Sequence, residues 1–274
     1  MIAARSARPG VLAASLGACQ AILRRDLRSV LRSRSQLYSS LLFPLMLLAI
    51  LGAGVSHGLD PSSTRIRDGD YTSYLVPGLV VMAALFSSTF SSASYYQDRD
   101  SGMLRVMMAS PHPPQVILLG KALAGVSIGG AQALAVLAVA AAVPSIDMEW
   151  QYGAAGVVAA VAGVLLLALL LNGFAQLVAA RIRTMQGFHL VMNLVLFPLL
   201  FFSGAFFPLE HLPGWLKALA YANPITYAVD ILHLAVYAED TGGYIGLPID
   251  FAVLVSLALA AFLWGMSRRT TYQP

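Results

Sequence analysis

From Ala154 to Ala180 the chain carries no charged residue, and its polar side chains there are Asn172 and Gln176 alone. A helix needs roughly 20 mostly apolar residues to cross a bilayer, so a run of this kind leaves few folds open. It recurs. Comparable stretches lie at about Leu37–Val55, Tyr74–Ser94, Val116–Val143, Phe188–Phe207 and Phe251–Met266, the last starting nearer Leu247 or Pro248. Only 11% of residues are charged, against about a quarter in a soluble domain, and they are gathered into short bands between the runs. A water-soluble fold would leave large apolar faces uncovered. With no water to satisfy backbone groups inside a bilayer, the expected fold is an all-α integral membrane protein with about six transmembrane helices.

The bands set the orientation. With the N-terminus inside, Arg65, Arg67 and Lys217 are the only ones of the 17 basic residues left outside, whereas among the 13 acids only Asp26, Asp98 and Asp100 fall inside. Lys121, in the first turn of the third span, is expected to snorkel back to the inner face. That asymmetry follows the positive-inside rule and places both termini in the cytoplasm. The net charge of +4 is therefore a membrane-surface feature, not a nucleic-acid footprint.

Residues 1–36 form a cytoplasmic arm, and 37–274 the transmembrane domain. Within the arm, Leu12, Leu16, Leu23, Leu27 and Leu31 (or Val30) recur at helical spacing, while Arg24, Arg25, Arg28 and Arg32 occupy the other side. This predicts an amphipathic helix lying in the inner interface, its cationic side toward lipid headgroups. Its alternative is a plain basic flank that fixes topology.

Several chemistries are excluded or weakly supported. No G-x-x-x-x-G-K-[ST] phosphate loop occurs. The five histidines are scattered, without paired ligand spacing, so no metal site is expected. Ion-coupled carriers commonly hold charged residues within their spans, and the span cores here hold none. Gln132, Asn172, Gln176, Asn193 and the serines around Ser87 are read as helix–helix contacts, as are Gly125 and Gly129 on the third span. Gly54-Val55-Ser56-His57 resembles a serine-nucleophile motif by chance alone, and Cys19 is read as a small apolar residue. The fifth span is followed by two prolines, Pro208 and Pro213, an interfacial Trp215 and a break at Asn223-Pro224. Residues 208–237 are thus expected to dip into the outer leaflet as a re-entrant pair of short helices.

Two stretches carry a resemblance. The inner loop from Tyr95 to Pro111 includes Asp98-Arg99-Asp100-Ser101-Gly102-Met103-Leu104-Arg105 and closes on Ser110-Pro111. The outer stretch runs Phe201-Phe202-Ser203-Gly204-Ala205-Phe206-Phe207-Pro208-Leu209-Glu210-His211-Leu212-Pro213-Gly214-Trp215-Leu216, then Asn223-Pro224-Ile225-Thr226-Tyr227. Both resemble the type-2 permease family of ATP-binding-cassette transporters, in particular bacterial drug-resistance and nodulation-type export permeases. The resemblance implies a non-enzymatic permease of the bacterial inner membrane, paired with a second permease chain as a homodimer or with a paralogue. ATP and Mg would sit on separate ATPase subunits, with no cofactor on this chain. It implies a coupling helix at about 98–110, with Asp98, Arg99, Asp100, Gly102, Leu104 and Arg105 at the ATPase contact. Met103 and Arg105 stand where the family often has threonine and a second acid. The arm becomes the interface helix. Pro208, Pro213, Trp215, Asn223 and Pro224 belong to an outer gate, with Asp230 and His233 following. Ser87, Ser88, Ser91, Phe197, Phe201 and Phe202 are the pathway candidates, lining a route across the dimer for a drug, lipid or glycolipid. An ion-driven carrier and a non-transporting membrane scaffold are the competing classes.

Overall fold

The computed structural model describes residues 9–33, 40–50, 71–110, 112–144, 152–179, 181–209, 212–237 and 245–267, with Tyr38, Ile146, Met148 and Trp150. Among these, every regular element is a helix. They are α1 (Pro9–Arg32), α2 (Ser40–Ile50), α3 (Tyr71–Asp100), α4 (Met103–Met108), α5 (Pro114–Ala142), α6 (Ala154–Ala179), α7 (Met185–Phe201), α8 (Gly214–Ala222), α9 (Pro224–Val236) and α10 (Leu247–Ser267).

Four helices are long and apolar enough to span a membrane: α3, most of α5, α6, and α10 over Leu247–Trp264. The expected fifth span is α7, 17 residues long, or about 26 Å at 1.5 Å per residue. The expected first span is described only as Ser40–Ile50, its remainder lying outside the described residues. The local sequence sets the helix starts. Thr184 accepts a hydrogen bond from the Gly187 amide at 3.2 Å to cap α7, Asn223 accepts from Ile225 to cap α9, and Pro114 and Pro224 open their helices with the fixed φ of proline.

At the centre α3 is enclosed by α5, α6, α7 and α9, and its residues Leu75 to Ala84 are nearly all inaccessible. Small residues permit the approach. A Cβ on Gly125 of α5 would stand 2.0 Å from Asn172 Oδ1 of α6, and one on Gly129 would stand 3.4 Å from Ser88 Oγ of α3. Asn172 donates to Ser88 Oγ at 3.2 Å and to the Ala168 carbonyl at 2.8 Å, so this three-helix seam carries the glue expected of it.

At the Tyr71 end of α3, the stretch from Phe202 to Leu209 folds across the bundle: a Cβ on Gly78 would lie 2.6 Å from the Ala205 carbonyl. The helix pair α8 and α9 follows. Ala235 lies over Gly156 and Ile231 over Gly163, so α9 runs antiparallel to α6 and its first turn, at Asn223-Pro224, reaches deepest. The break expected at this dipeptide is thus the tip of a helical hairpin.

Candidate functional site

At the opposite end, where α3 finishes, four charged side chains from three helices meet. Arg25 of α1 donates to Asp26 Oδ1 through Nε at 2.9 Å and through Nη2 at 2.6 Å. The same Nη2 reaches Asp98 Oδ2 of α3 at 2.6 Å. Lys121 of α5 pairs with Asp26 Oδ2 at 3.4 Å and with Asp98, and touches Ser94 Oγ at 3.3 Å. A fourth element joins through Arg25 Nη1 and Met107 Sδ of α4, 3.7 Å apart. Two bases face two acids. Asp26, Asp98 and Lys121 keep 8%, 14% and 7% of their side-chain surface, Arg25 33%. Burial works against the charge on Arg25, yet its hydrogen bonds to Asp98 and Asp26 and their attraction outweigh it, so its pKa lies above the ordinary value.

Lys121 reaches the end of the bundle where α3 finishes, among Asp26, Asp98 and Ser94, and the two acids supply counter-charges that offset its desolvation. Neither Asp26 nor Lys121 stood out in the sequence as a site residue. The available signal was that Asp26 is the one acid within the basic arm, placed to complement a lone lysine at the start of an apolar helix.

The helix expected at about 98–110 is divided. Asp98, Arg99 and Asp100 form the last turn of α3, and the short α4 starts at Met103. Gly102 makes the joint with φ 74°, the left-handed region that glycine enters freely. Asp98 points into the ion cluster; Arg99 donates to the Arg183 carbonyl at 3.0 Å; Asp100 and Arg105 are exposed. Leu104 is 1% exposed and pins α4 to the bundle, whereas Val106 is 67% exposed. So α4 is a foot with one buried anchor and an apolar, partly cationic outer side.

On α1 the helical repeat of 100° per residue separates three sectors. Cys19, Ile22, Asp26 and Val30 fall together and face α5, where Gly120 lets the backbone approach: a Cβ there would stand 3.0 Å from the Cys19 carbonyl and from Ile22 Cβ. Burial raises the pKa of the Cys19 thiol. Leu16, Leu23, Leu27 and Leu31 fall together on a second sector, with Leu16 and Leu31 largely exposed. The expected apolar stripe therefore faces outward, while the α5 contact uses a different set. Arg24, Arg28 and Arg32 fill the third sector, exposed, with Arg25 at its edge turned into the ion cluster.

The pathway candidates separate in the same way. Ser87 and Ser88 are buried inside this chain against α5 and α6, not on an open face. Ser91 sits lower on α3 beside a cleft of about 560 Å³ between α1, α3, α4 and α5. Phe197 meets Phe86 edge-on, 5.9 Å between ring centroids; Phe201 and Phe202 are exposed.

At the hairpin end, most contacts run from neutral side chains to the backbone, and two acids, Asp230 and Asp250, are buried there as well. Tyr74 stacks on His233 at 4.8 Å and donates to the Gly204 carbonyl at 2.5 Å. His233 Nε2–H donates to the Tyr74 carbonyl at 3.2 Å, which fixes its tautomer. Tyr237 donates to the Ser73 carbonyl, Thr226 to Ala220 and Asn223 to Leu199. Pro208 lies in the irregular stretch, Pro213 precedes α8, and Trp215 on its first turn is 67% exposed. Asp230 accepts from the Ile245 amide at 3.0 Å. Asp250, inside the last span once that span starts at Leu247, lies fully buried in the first turn of α10.

Residues 17–237 match the family model described as ABC-2 type transporter. The chain is 28% identical over 173 residues to the "Probable multidrug ABC transporter permease YbhR" of Escherichia coli K12, covering 62% of this chain and 45% of that protein, so it spans about half of that relative's length. It is 29% identical over 203 residues to the "Inner membrane transport permease YadH" of the same strain, covering 73% of this chain and 75% of the other. It is also 27% identical over 199 residues to "Nodulation protein J" of Rhizobium meliloti strain 1021, covering 69% of each. With a model matched along most of its length, and with the helical membrane architecture that model implies, this chain belongs to the ABC-2 type transporter family of membrane permeases.

Proposed function

We propose that this chain is the membrane half of an ATP-driven exporter of the bacterial inner membrane, with both termini cytoplasmic. It would move a hydrophobic or amphipathic molecule, such as a drug, lipid or glycolipid, out of the cytoplasm or inner leaflet. Separate ATPase subunits bind ATP and Mg, and a second permease chain completes the pathway.

The ion cluster carries this reading. The foot α4 and the surface helix α1 are the elements a cytoplasmic motor can touch, through Val106, Met103, Asp100, Arg99 and Arg105 on one side and Arg24, Arg28 and Arg32 on the other. Neither element crosses the membrane, so any push must pass to α3 and α5. Arg25, Asp26, Asp98 and Lys121 make that connection directly. Groups paired away from water interact more strongly than surface pairs and are poorly screened by salt, which lets four helices move as one body. At the far end, the α8–α9 hairpin caps the route, with Asn223 and Pro224 at its tip and Pro208, Pro213 and Trp215 around its entry.

Reconstitution tests it. The purified chain with its ATPase should move a fluorescent amphipath on ATP addition, and the chain alone should not. Uptake by the permease alone, driven by a proton gradient, would refute it.

A further inference from the structure

We propose that the cleft between α1, α3, α4 and α5 binds the headgroup of a membrane amphipath that has no net charge and offers several hydrogen-bond donors. This rests on the exporter reading above, and makes the cleft the place where one chain first holds its cargo.

Two facing stripes build the cleft. On α3, Asp98, Ser94, Ser91 and Ser87 recur at helical spacing; on α5, Lys121, Gly125, Ile128 and Gln132 do the same. All but Ser87 and Gln132 line the 560 Å³ space, a volume within the roughly 300–1,000 Å³ of small-ligand pockets. The stripes climb about 16 Å from the ion cluster into the bundle, at 1.5 Å per residue.

Three observations select the ligand. The charged floor is balanced, with Arg25 and Lys121 paired against Asp26 and Asp98. A headgroup with net charge would leave one of these unpaired away from bulk water, whereas a neutral one disturbs none. Above the floor, Ser91 lines the cleft, and its Oγ is buried without a hydrogen-bond partner, as are Ser87 Oγ and Gln132 Oε1 beyond it. Buried polar oxygens are almost always paired; hydroxyl or ammonium donors on a headgroup would satisfy those they reach. Finally, the walls carry apolar side chains: Val30, Val106, Phe90 and Ile128 line the cleft beside its polar groups, and Leu16 and Leu31 on α1 are exposed. Apolar walls beside a polar floor match an amphipath whose tails remain in the lipid.

The test uses the full-length chain without ATPase. Native mass spectrometry would follow retained lipid after incubation with equimolar monoglucosyl diacylglycerol, phosphatidylethanolamine and phosphatidylglycerol. Retention of either neutral lipid should exceed that of phosphatidylglycerol, which also offers hydroxyl donors but brings a net charge against the balanced floor, by about five-fold. Which of the two is favoured tells whether sugar hydroxyls or an ammonium group supply the donors. The double variant Ser91→Ala/Ser94→Ala should lose about five-fold of that retention. Ser29→Phe, which fills the mouth from an exposed position and spares the core, should lower it too, while Ser256→Ala on the exposed side of α10 should not. Equal or greater retention of phosphatidylglycerol, or unchanged retention in folded Ser29→Phe, overturns the proposal. Because binding alone is read, selective retention without ATP-driven transport would keep the site and refute the exporter reading.

Discussion

The two ends of this bundle are fastened by different chemistry. At the foot, α1, α3 and α5 are joined by ionised side chains on regular helices, and α4 is drawn in through Met107. At the hairpin, tyrosine, threonine, asparagine and histidine donate to backbone carbonyls. The backbone explains the difference. The acceptors there include Gly204 in the irregular stretch, Leu199 and Ala220 in the last turns of α7 and α8, and Ser73, whose helical partner position is Pro77 without an amide hydrogen, carbonyls with no water to turn to inside a membrane. Side-chain donors fill that need. At the foot Arg25, Asp26, Asp98 and Lys121 each stand on a helical segment, and their side chains join one helix to another. The foot is thus tied helix to helix by opposite charges, and the hairpin end largely by neutral side chains to backbone, with Asp230 and Asp250 buried beside them.

The sharpest way to break this comparison is Lys121→Met. It leaves Asp26 and Asp98 facing each other with Arg25 alone, and removing one partner from a buried ionic group costs about 3–5 kcal/mol. Thermal melting in detergent should fall steeply, and Lys121→Met/Asp98→Asn should recover part of the loss. A single variant that melts like the parent would show that the foot is not held by charge. Gly78→Ala comes next. Its Cβ would meet the backbone of Ala205, which cannot swing aside, so about 1–3 kcal/mol is expected, with the hairpin end opening first to hydrogen exchange. Tyr74→Phe should be milder, about 1 kcal/mol for one hydrogen bond, and insensitive to salt. Arg99→Gln is the smallest, within about 0.5 kcal/mol, because its contact to the Arg183 carbonyl is exposed. A large loss there would extend the rigid foot to the α6–α7 connection.

The spans of α3, α5, α6 and α10 were legible in the sequence because long apolar runs in a bilayer have one regular solution. The hairpin tip was legible at Asn223-Pro224 for a similar local reason: a capping side chain followed by a residue without an amide hydrogen. The ion cluster was not. Its members lie at positions 25, 26, 98 and 121, and nothing local tells Arg25 apart from Arg24 or Arg28; only the packing of α1 on α5 turns one arginine inward. The joint between α3 and α4 was also hidden, since Asp98–Asp100 continue a helix that apolar counting ends near Ser94. Ser87 and Ser88 fit the sequence as helix contacts and, by resemblance, as a wall of the route; polarity in a sequence does not tell which way a side chain faces, and both pack within this chain.

The three sectors of α1 have a mechanical consequence. With one sector locked on α5 and, in the proposed placement at the inner interface, one sector among acyl chains and one among headgroups, the helix would have no free angle through which to spin. Any tilt of α5 would then drag α1 sideways like a keel, and the charge and viscosity of the surrounding leaflet would become part of the resistance to the proposed exporter's cycle.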